Sequence, residues 1–279
     1  MSDNNSPLKK YQRKPKLYID LPSKGQWYPP GALTKSTELA VYSMTASDEI
    51  ATKTPDSLFN GETTVGIVQS CIPDIKNAWQ MPIIDLYACL AAIRMASYGT
   101  SLSVTTGCAK CQEESSYDIS LQGIVDYYQS CKFIDHSEHE GFVFDISPLS
   151  LKEINDISLR SFRLQRQIAQ NIPKIEDEVE RDKELQTLYD QLMNINVGTV
   201  VQHITKITTD ENEEESDINA IAEFIQSAEK GFYGSVQKLV TTNNKTFALP
   251  ENNIECPACG HKDNLVLDLD YSNFFEQYL

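Results

Sequence analysis

The sequence predicts an α+β protein whose core is split by a mostly helical, acidic insertion. Three observations carry that expectation. Two C-x-x-C pairs, Cys108-Ala-Lys-Cys111 and Cys256-Pro-Ala-Cys259, lie far apart, each between stretches that alternate as strands do. Helical spacing recurs between the pairs, as at Leu185, Leu188, Leu192 and Ile195. Residues 176–229 carry fifteen Asp and Glu against Arg181, Lys183 and Lys206, a net −12. Two such pairs supply the four thiolates of a tetrahedral structural zinc site, so the fold class is a zinc-ribbon-containing core with an inserted helical segment. The expected organisation is a basic flexible arm at 1–16, a core at 17–150 and 242–279 holding the split ribbon, and the insertion at 151–241.

Each element follows from local signals. Leu17-Tyr-Ile-Asp-Leu reads as an extended strand, and Ser23-Lys-Gly25 as a turn among prolines that forbid helix. Trp27 and Tyr28 in this segment either pack on the domain's own core or form an exposed docking segment for a partner. Glu38–Tyr42 is a short strand. Thr45-Ala-Ser-Asp48 is a capping box with Asp in place of Glu, opening a short helix that Pro55 ends. A helix at Thr63–Ile72 stops at Pro73. The segment from Pro82 to Gly99 is the clearest helix, with proline in its first turn and glycine past its end. It is apolar almost all round and is expected at the centre of the core.

Ser101–Thr105 and Tyr117–Leu121 are strands on either side of the first cysteine pair. Lys132–Asp135 and Gly141–Ile146 are a further strand pair joined by a charged turn at 136–140. Ser150-Leu-Lys-Glu153 is a capping box opening a helix to about Asn171, which Pro173 interrupts. Residues 175–195 and 217–241 are helical, with the acidic run 210–217 a solvated loop between them. Thr246–Leu249 and Asn264–Asp270 flank the second pair as its strands.

Composition narrows the function classes. The chain has 279 residues and 41% hydrophobic residues, enough for a packed core. No apolar run reaches the length of a membrane span, and the first residues lack the apolar stretch of a secretory signal. The net charge of −16 opposes broad nucleic-acid binding. Residues 1–16 nevertheless carry Lys9, Lys10, Arg13, Lys14 and Lys16 against Asp3, a net +4, and such an arm either stays solvated or docks on an acidic partner or nucleic acid. Seven cysteines, two pairs at knuckle spacing, suit a reducing compartment; Cys71, Cys89 and Cys131 read as small core residues.

Cys108, Cys111, Cys256 and Cys259 are thus expected to bind one structural Zn2+. Four thiolates close the shell and leave no position for water or substrate, so hydrolysis is not expected there. A redox role is disfavoured because neither pair caps an evident helix N-terminus. Gly107 and Gly260 suit the tight turns that aim N–H groups at sulfur. His261 could replace a cysteine, but the pairs already complete the set. His136 and His139 are solvated turn residues or, less simply, a second metal site. No phosphate-binding or nucleophile-elbow motif occurs, and no catalytic constellation stands out. The expected chain is non-catalytic, without a small-molecule substrate.

Several local patterns also occur in one order: Leu21-Pro-Ser-Lys-Gly-Gln-Trp-Tyr-Pro29, Met44-Thr-Ala-Ser-Asp-Glu49, Ala92-Ile-Arg-Met-Ala-Ser-Tyr-Gly99, the Cys108/Cys111 pair, Cys256-Pro-Ala-Cys-Gly260 and a Phe274-Phe275 end. In these the chain resembles baseplate hub proteins and hub assembly factors of T4-like contractile-tailed bacteriophages. The resemblance touches about residues 17–150 and 245–279 and implies a hub component or assembly helper. The implied partners are other hub or tape-measure proteins. The implied location is the host cytoplasm during assembly or the virion tail baseplate. The acidic insertion is then a partner surface, a charge shield or simply a solvated face. A rival expectation is a zinc-ribbon nucleic-acid-binding regulator using the Lys9–Lys16 arm; an enzyme is the weaker third.

Overall fold

The computed structural model describes residues 12–53, 61–265 and 267. In chain order the elements are β1 (Leu17–Ile19), β2 (Leu39–Val41), α1 (Ala46–Thr52), α2 (Glu62–Cys71), α3 (Ile83–Tyr98), β3 (Ser101–Gly107), β4 (Glu114–Ser120), α4 (Leu121–Ser130), β5 (His136–His139), β6 (Phe142–Ile146), α5 (Leu151–Gln170), α6 (Glu178–His203), β7 (Ile204–Thr208), β8 (Glu214–Glu215), α7 (Ile218–Ser227), α8 (Lys230–Thr246), β9 (Asn252–Glu255) and β10 (Lys262–Leu265). The fold is mixed helix and strand, and every strand ladder among the described residues is antiparallel. No described helix is long and apolar enough to cross a membrane.

The chain divides into two compact units, Met1–Cys131 with Leu249–Leu279, and Lys132–Ala248. The second unit is wider than the expected insertion at 151–241. It takes in the hairpin β5–β6, because β6 pairs with β7 rather than with a strand of the first unit.

In the first unit, α3 is buried on nearly every side, through Ile84, Leu86, Leu90 and Ile93. Gly99 ends it at φ +102°, a backbone that favours glycine. Helix α2 adds Val65, Ile67, Val68 and Cys71, and the β1–β2 ladder adds Ile19, Leu39 and Val41. The capping box of α1 forms as expected: Asp48 donates its N–H to Thr45 Oγ1 and accepts the Thr45 N–H in return. Helix α4 packs along α3 and fills the core with Leu121, Ile124, Val125 and Tyr128. Leu121 therefore belongs to a helix, not to the strand expected through it; Ser120 caps that helix by accepting the Gly123 N–H.

The described part of the N-terminal arm is not free. Arg13 donates to the carbonyls of Ser43 and Ser70 at 2.9 and 2.6 Å, and its guanidinium lies over the Tyr42 ring. Lys16 donates its N–H to Val41, extending the β1–β2 pairing. Within the arm expected at 1–16, Arg13 and the Lys16 N–H thus donate to backbone carbonyls of the first unit; Lys9 and Lys10 lie outside the described residues. Pro55, part of the last expected strand and Phe274-Phe275 also lie outside them.

In the second unit the sheet runs β5-β6-β7-β8. Its core is Phe144, Ile146, Val200, Val201, Ile204, Ile207, Ile221, Ile225, Phe232 and Val236, with Phe142 and Phe224 packed on it. The strand expected at Lys132–Asp135 is displaced to His136–His139. The turn contracts to Glu140-Gly141, both at positive φ (+49° and +82°), the two-residue hairpin whose twist matches its strands. Residues 132–135 are held instead by Asn243, whose side-chain amide donates to and accepts from the Ile134 backbone at 2.8 and 3.0 Å. Helix α5 begins with the expected Ser150–Glu153 capping box. Helix α6 continues to His203, beyond the expected end. The β-branched run Ile204-Thr-Lys-Ile-Thr follows as β7, and part of the expected acidic loop pairs with it as β8. At the end of the unit, Thr246 closes α8, so the strand expected at Thr246–Leu249 is replaced by β9 at Asn252–Glu255.

Candidate metal centre

The β3–β4 and β9–β10 hairpins each carry one cysteine pair in the turn between their strands. The two turns share one hydrogen-bond pattern. Cys108 donates its N–H to Glu113 and its carbonyl accepts from Gln112; Cys256 donates to His261 and accepts from Gly260. Each turn thus closes over five residues, with a left-handed backbone at Gln112 (φ +61°) and Gly260 (φ +67°). Gly260 meets this demand without strain. In the first turn the demand falls on Gln112; Gly107, expected to serve it, is an ordinary strand residue. The Lys110 N–H points at Cys108 Sγ at 3.4 Å, the N–H···S contact expected of such a knuckle.

These turns bring the four expected ligands together. Cys108 Sγ lies 3.7 Å from Cys259 Sγ, and Cys111 Sγ lies 3.7 Å from Cys256 Sγ; all four sulfurs fall within 4.8 Å of one another. A disulfide would need about 2.05 Å, so the sulfurs are thiols or thiolates. A tetrahedron with metal–sulfur bonds of about 2.3 Å has edges of about 3.8 Å, so the spacing fits a four-thiolate shell. Backbone N–H groups at Cys111 and Lys110 pull the Cys108 thiol down to about 6. Cys111 has a Glu113 N–H acting the same way, but the crowding sulfurs of Cys259, Cys108 and Cys256 win and push it up to about 12. Without a cation, four sulfurs this close cannot all ionise; a divalent metal reverses that balance. His261 lines a cavity of about 60 Å3 beside Cys108 and Cys256 and is not part of the sulfur cluster.

Trp27 and Tyr28 are half-buried in the loop between β1 and β2. The Tyr28 hydroxyl donates to Asp85 Oδ2 at 3.0 Å, so this half of the expected docking pair is used within the chain. Ser23 donates its N–H to Asp85 Oδ1 at 2.7 Å and its hydroxyl to Oδ2 at 2.6 Å. Asp85 is fully buried in the first turn of α3. Burial raises its pKa from 3.8 to about 6, while the bonds from Ser23 and Tyr28 pull it down and favour the ionised form. Sequence reasoning missed Asp85. The available signal was one carboxylate in the otherwise apolar run that opens α3.

His136 and His139 lie on β5 rather than in a turn. His139 packs edge-on against Phe232 and over Gly231, and neither histidine belongs to a metal-ligand cluster among the described residues. Cys71 and Cys89 are buried, as expected of core cysteines, and Cys131 is half-buried.

The model of the family described as T4 bacteriophage base plate protein matches residues 14–276. No curated protein and no solved structure matches the chain. The family match runs through both compact units and across both cysteine pairs, and the chain belongs to the T4 bacteriophage base plate protein family.

Proposed function

We propose that the chain is a hub component or hub-assembly factor of the phage tail baseplate that acts through protein contacts and catalyses no reaction. The family match over residues 14–276 is the observation that carries this proposal. The partners are other hub or tape-measure proteins, met in the host cytoplasm during assembly or in the virion tail. Cys108, Cys111, Cys256 and Cys259 hold one Zn2+ in this account. The sulfur spacing supports it, and a four-thiolate shell supplies cross-linking rather than a reactive position. The cross-link ties the β9–β10 hairpin to β3–β4 within the first unit, across a second unit of 117 residues. The expected split ribbon is that pair of hairpins. Trp27, exposed in part beside the anchored Tyr28, belongs to the proposed docking surface.

The nucleic-acid alternative is less well supported. Arg13 is engaged by Ser43 and Ser70, and the net charge is −16. Quantifying the chain in purified particles and in infected-cell lysate, with and without deletion of its gene, tests the proposal. Presence in particles marks a component; presence only in lysate, with hub assembly lost on deletion, marks an assembly factor. Unchanged hub assembly after deletion contradicts both. Salt-sensitive binding of duplex DNA that disappears on removing residues 1–16 would favour the regulator instead.

A further inference from the structure

The four sulfurs of the candidate metal centre are not equally sheltered. Cys256 is buried and Cys108 half-buried, whereas Cys111 and Cys259, the second cysteine of each pair, are exposed. The contacts at 3.7 Å run between the hairpins, Cys108 with Cys259 and Cys111 with Cys256. Each contact therefore joins one exposed cysteine to one more sheltered cysteine on the opposite hairpin. An accessible thiolate poised beside a second thiol is the arrangement in which oxidation ends in a disulfide.

The turns decide which sulfurs can close. Within a pair, both cysteines belong to one hydrogen-bonded turn: Cys108 closes its turn through Gln112 and Glu113, and Cys256 through Gly260 and His261. Joining Cys108 to Cys111, or Cys256 to Cys259, distorts that turn. Sulfurs on opposite hairpins have no such turn between them, since they stand 151 and 145 positions apart. They need only close from 3.7 Å to a bond of about 2.05 Å, by side-chain rotation and a small approach of the hairpins. The other cysteines are poor competitors. Burial pushes the thiols of Cys71, Cys89 and Cys131 up and keeps them protonated.

We propose that the centre is an oxidation site, at which hydrogen peroxide replaces the metal clasp by two disulfides, Cys108–Cys259 and Cys111–Cys256. The exposed thiolate, Cys259 or Cys111, attacks one peroxide oxygen. The O–O bond breaks, leaving a sulfenic acid on that sulfur and releasing hydroxide. The facing thiolate, Cys108 or Cys256, then attacks the sulfenic sulfur and displaces a second hydroxide. Two protons convert the hydroxides to water, so each disulfide consumes one peroxide and passes two electrons to it. The metal ion keeps its oxidation state and leaves as its thiolate donors are consumed. The proposal rests on the reading of the four sulfurs as one metal shell. Its consequence is that β9–β10 stays tied to β3–β4 in both states, by metal in reducing surroundings and by disulfides in oxidising ones.

Peptide mapping of the full chain without reductant, before and after hydrogen peroxide, tests this, with released metal followed by a coloured zinc chelator. All bound zinc should be released by about two equivalents of peroxide. Trypsin cuts after Lys110, so the cross-hairpin disulfides hold three peptides together, and fragmentation between Cys256 and Cys259 assigns the partners. Cys71, Cys89 and Cys131 should remain thiols, and a dithiol reductant with added zinc should restore the metal form. Disulfides within the C-x-x-C pairs, sulfinic acids without cross-links, or zinc retained through the treatment would overturn the proposal. Zinc content before oxidation tests the metal shell separately: a metal-free chain that still forms both cross-links loses the shell and keeps the oxidation site.

Discussion

Asp85 holds the β1–β2 loop against the first turn of α3, and its replacement tests how much that loop depends on it. Asp85→Ala leaves the Ser23 N–H and two hydroxyls without an acceptor in a buried site and is expected to cost about 2–4 kcal/mol in urea unfolding. The pH dependence has a definite sign. The folded carboxyl, raised to about 6, takes up a proton before the unfolded one does near 3.8. The cost of burying the charge is therefore present above pH 6 and is relieved as pH falls from about 6 to about 4. Across that window the wild type should gain up to about 3 kcal/mol relative to Asp85→Asn, with no change in the difference above pH 7. A difference that stays flat from pH 4 to 8 contradicts the upward shift of the buried carboxyl. The cysteines were legible in the sequence because C-x-x-C is a local signature of a turn. Asp85 was not, because its donors stand 57 and 62 positions away, and only the fold brings them together.

Among the elements, the β5–β6 hairpin rests on the Glu140-Gly141 turn. Gly141 sits at φ +82°, and a Cβ there would lie 3.1 Å from Asp210 Cβ, so Gly141→Val is expected to destabilise the second unit by about 1–3 kcal/mol in thermal unfolding. Ser150→Ala removes a capping box and should cost about 1 kcal/mol at the start of α5. Helices whose ends carry caps were legible: Thr45, Ser150 and the Pro82/Gly99 bracket each set a boundary that the structure keeps to within a residue or two. Helix α4 was hidden because Tyr117-Asp-Ile-Ser-Leu121 alternates like a strand up to its first residue. Its own signal was the spacing of Leu121, Ile124, Val125 and Tyr128, which lies just beyond. The 132–146 segment misled for another reason. Its apolar residues Phe133 and Ile134 suggested a strand, but Asn243 pairs that backbone from a helix 109 positions on, and the ladder forms on the charged residues after it.

At the scale of the whole molecule, the sequence placed both cysteine pairs in one folded unit and a helical, acidic segment between them. The boundaries moved because β6 pairs with β7 across α5 and α6, a non-local choice that hydrophobic periodicity alone does not decide. The central claim is that the four sulfurs hold one structural metal that fastens the C-terminal hairpin to the first unit. Chelation should then lower the stability of that unit by several kcal/mol and leave unfolding of the second unit unchanged, since the cluster contributes nothing to its core. The most direct measurement is elemental analysis of the folded full chain, purified without added metal, beside the Cys108→Ser, Cys256→Ser double variant. The account predicts about one zinc per wild-type chain and none in the variant. A wild-type chain that is fully folded and carries no metal would contradict it.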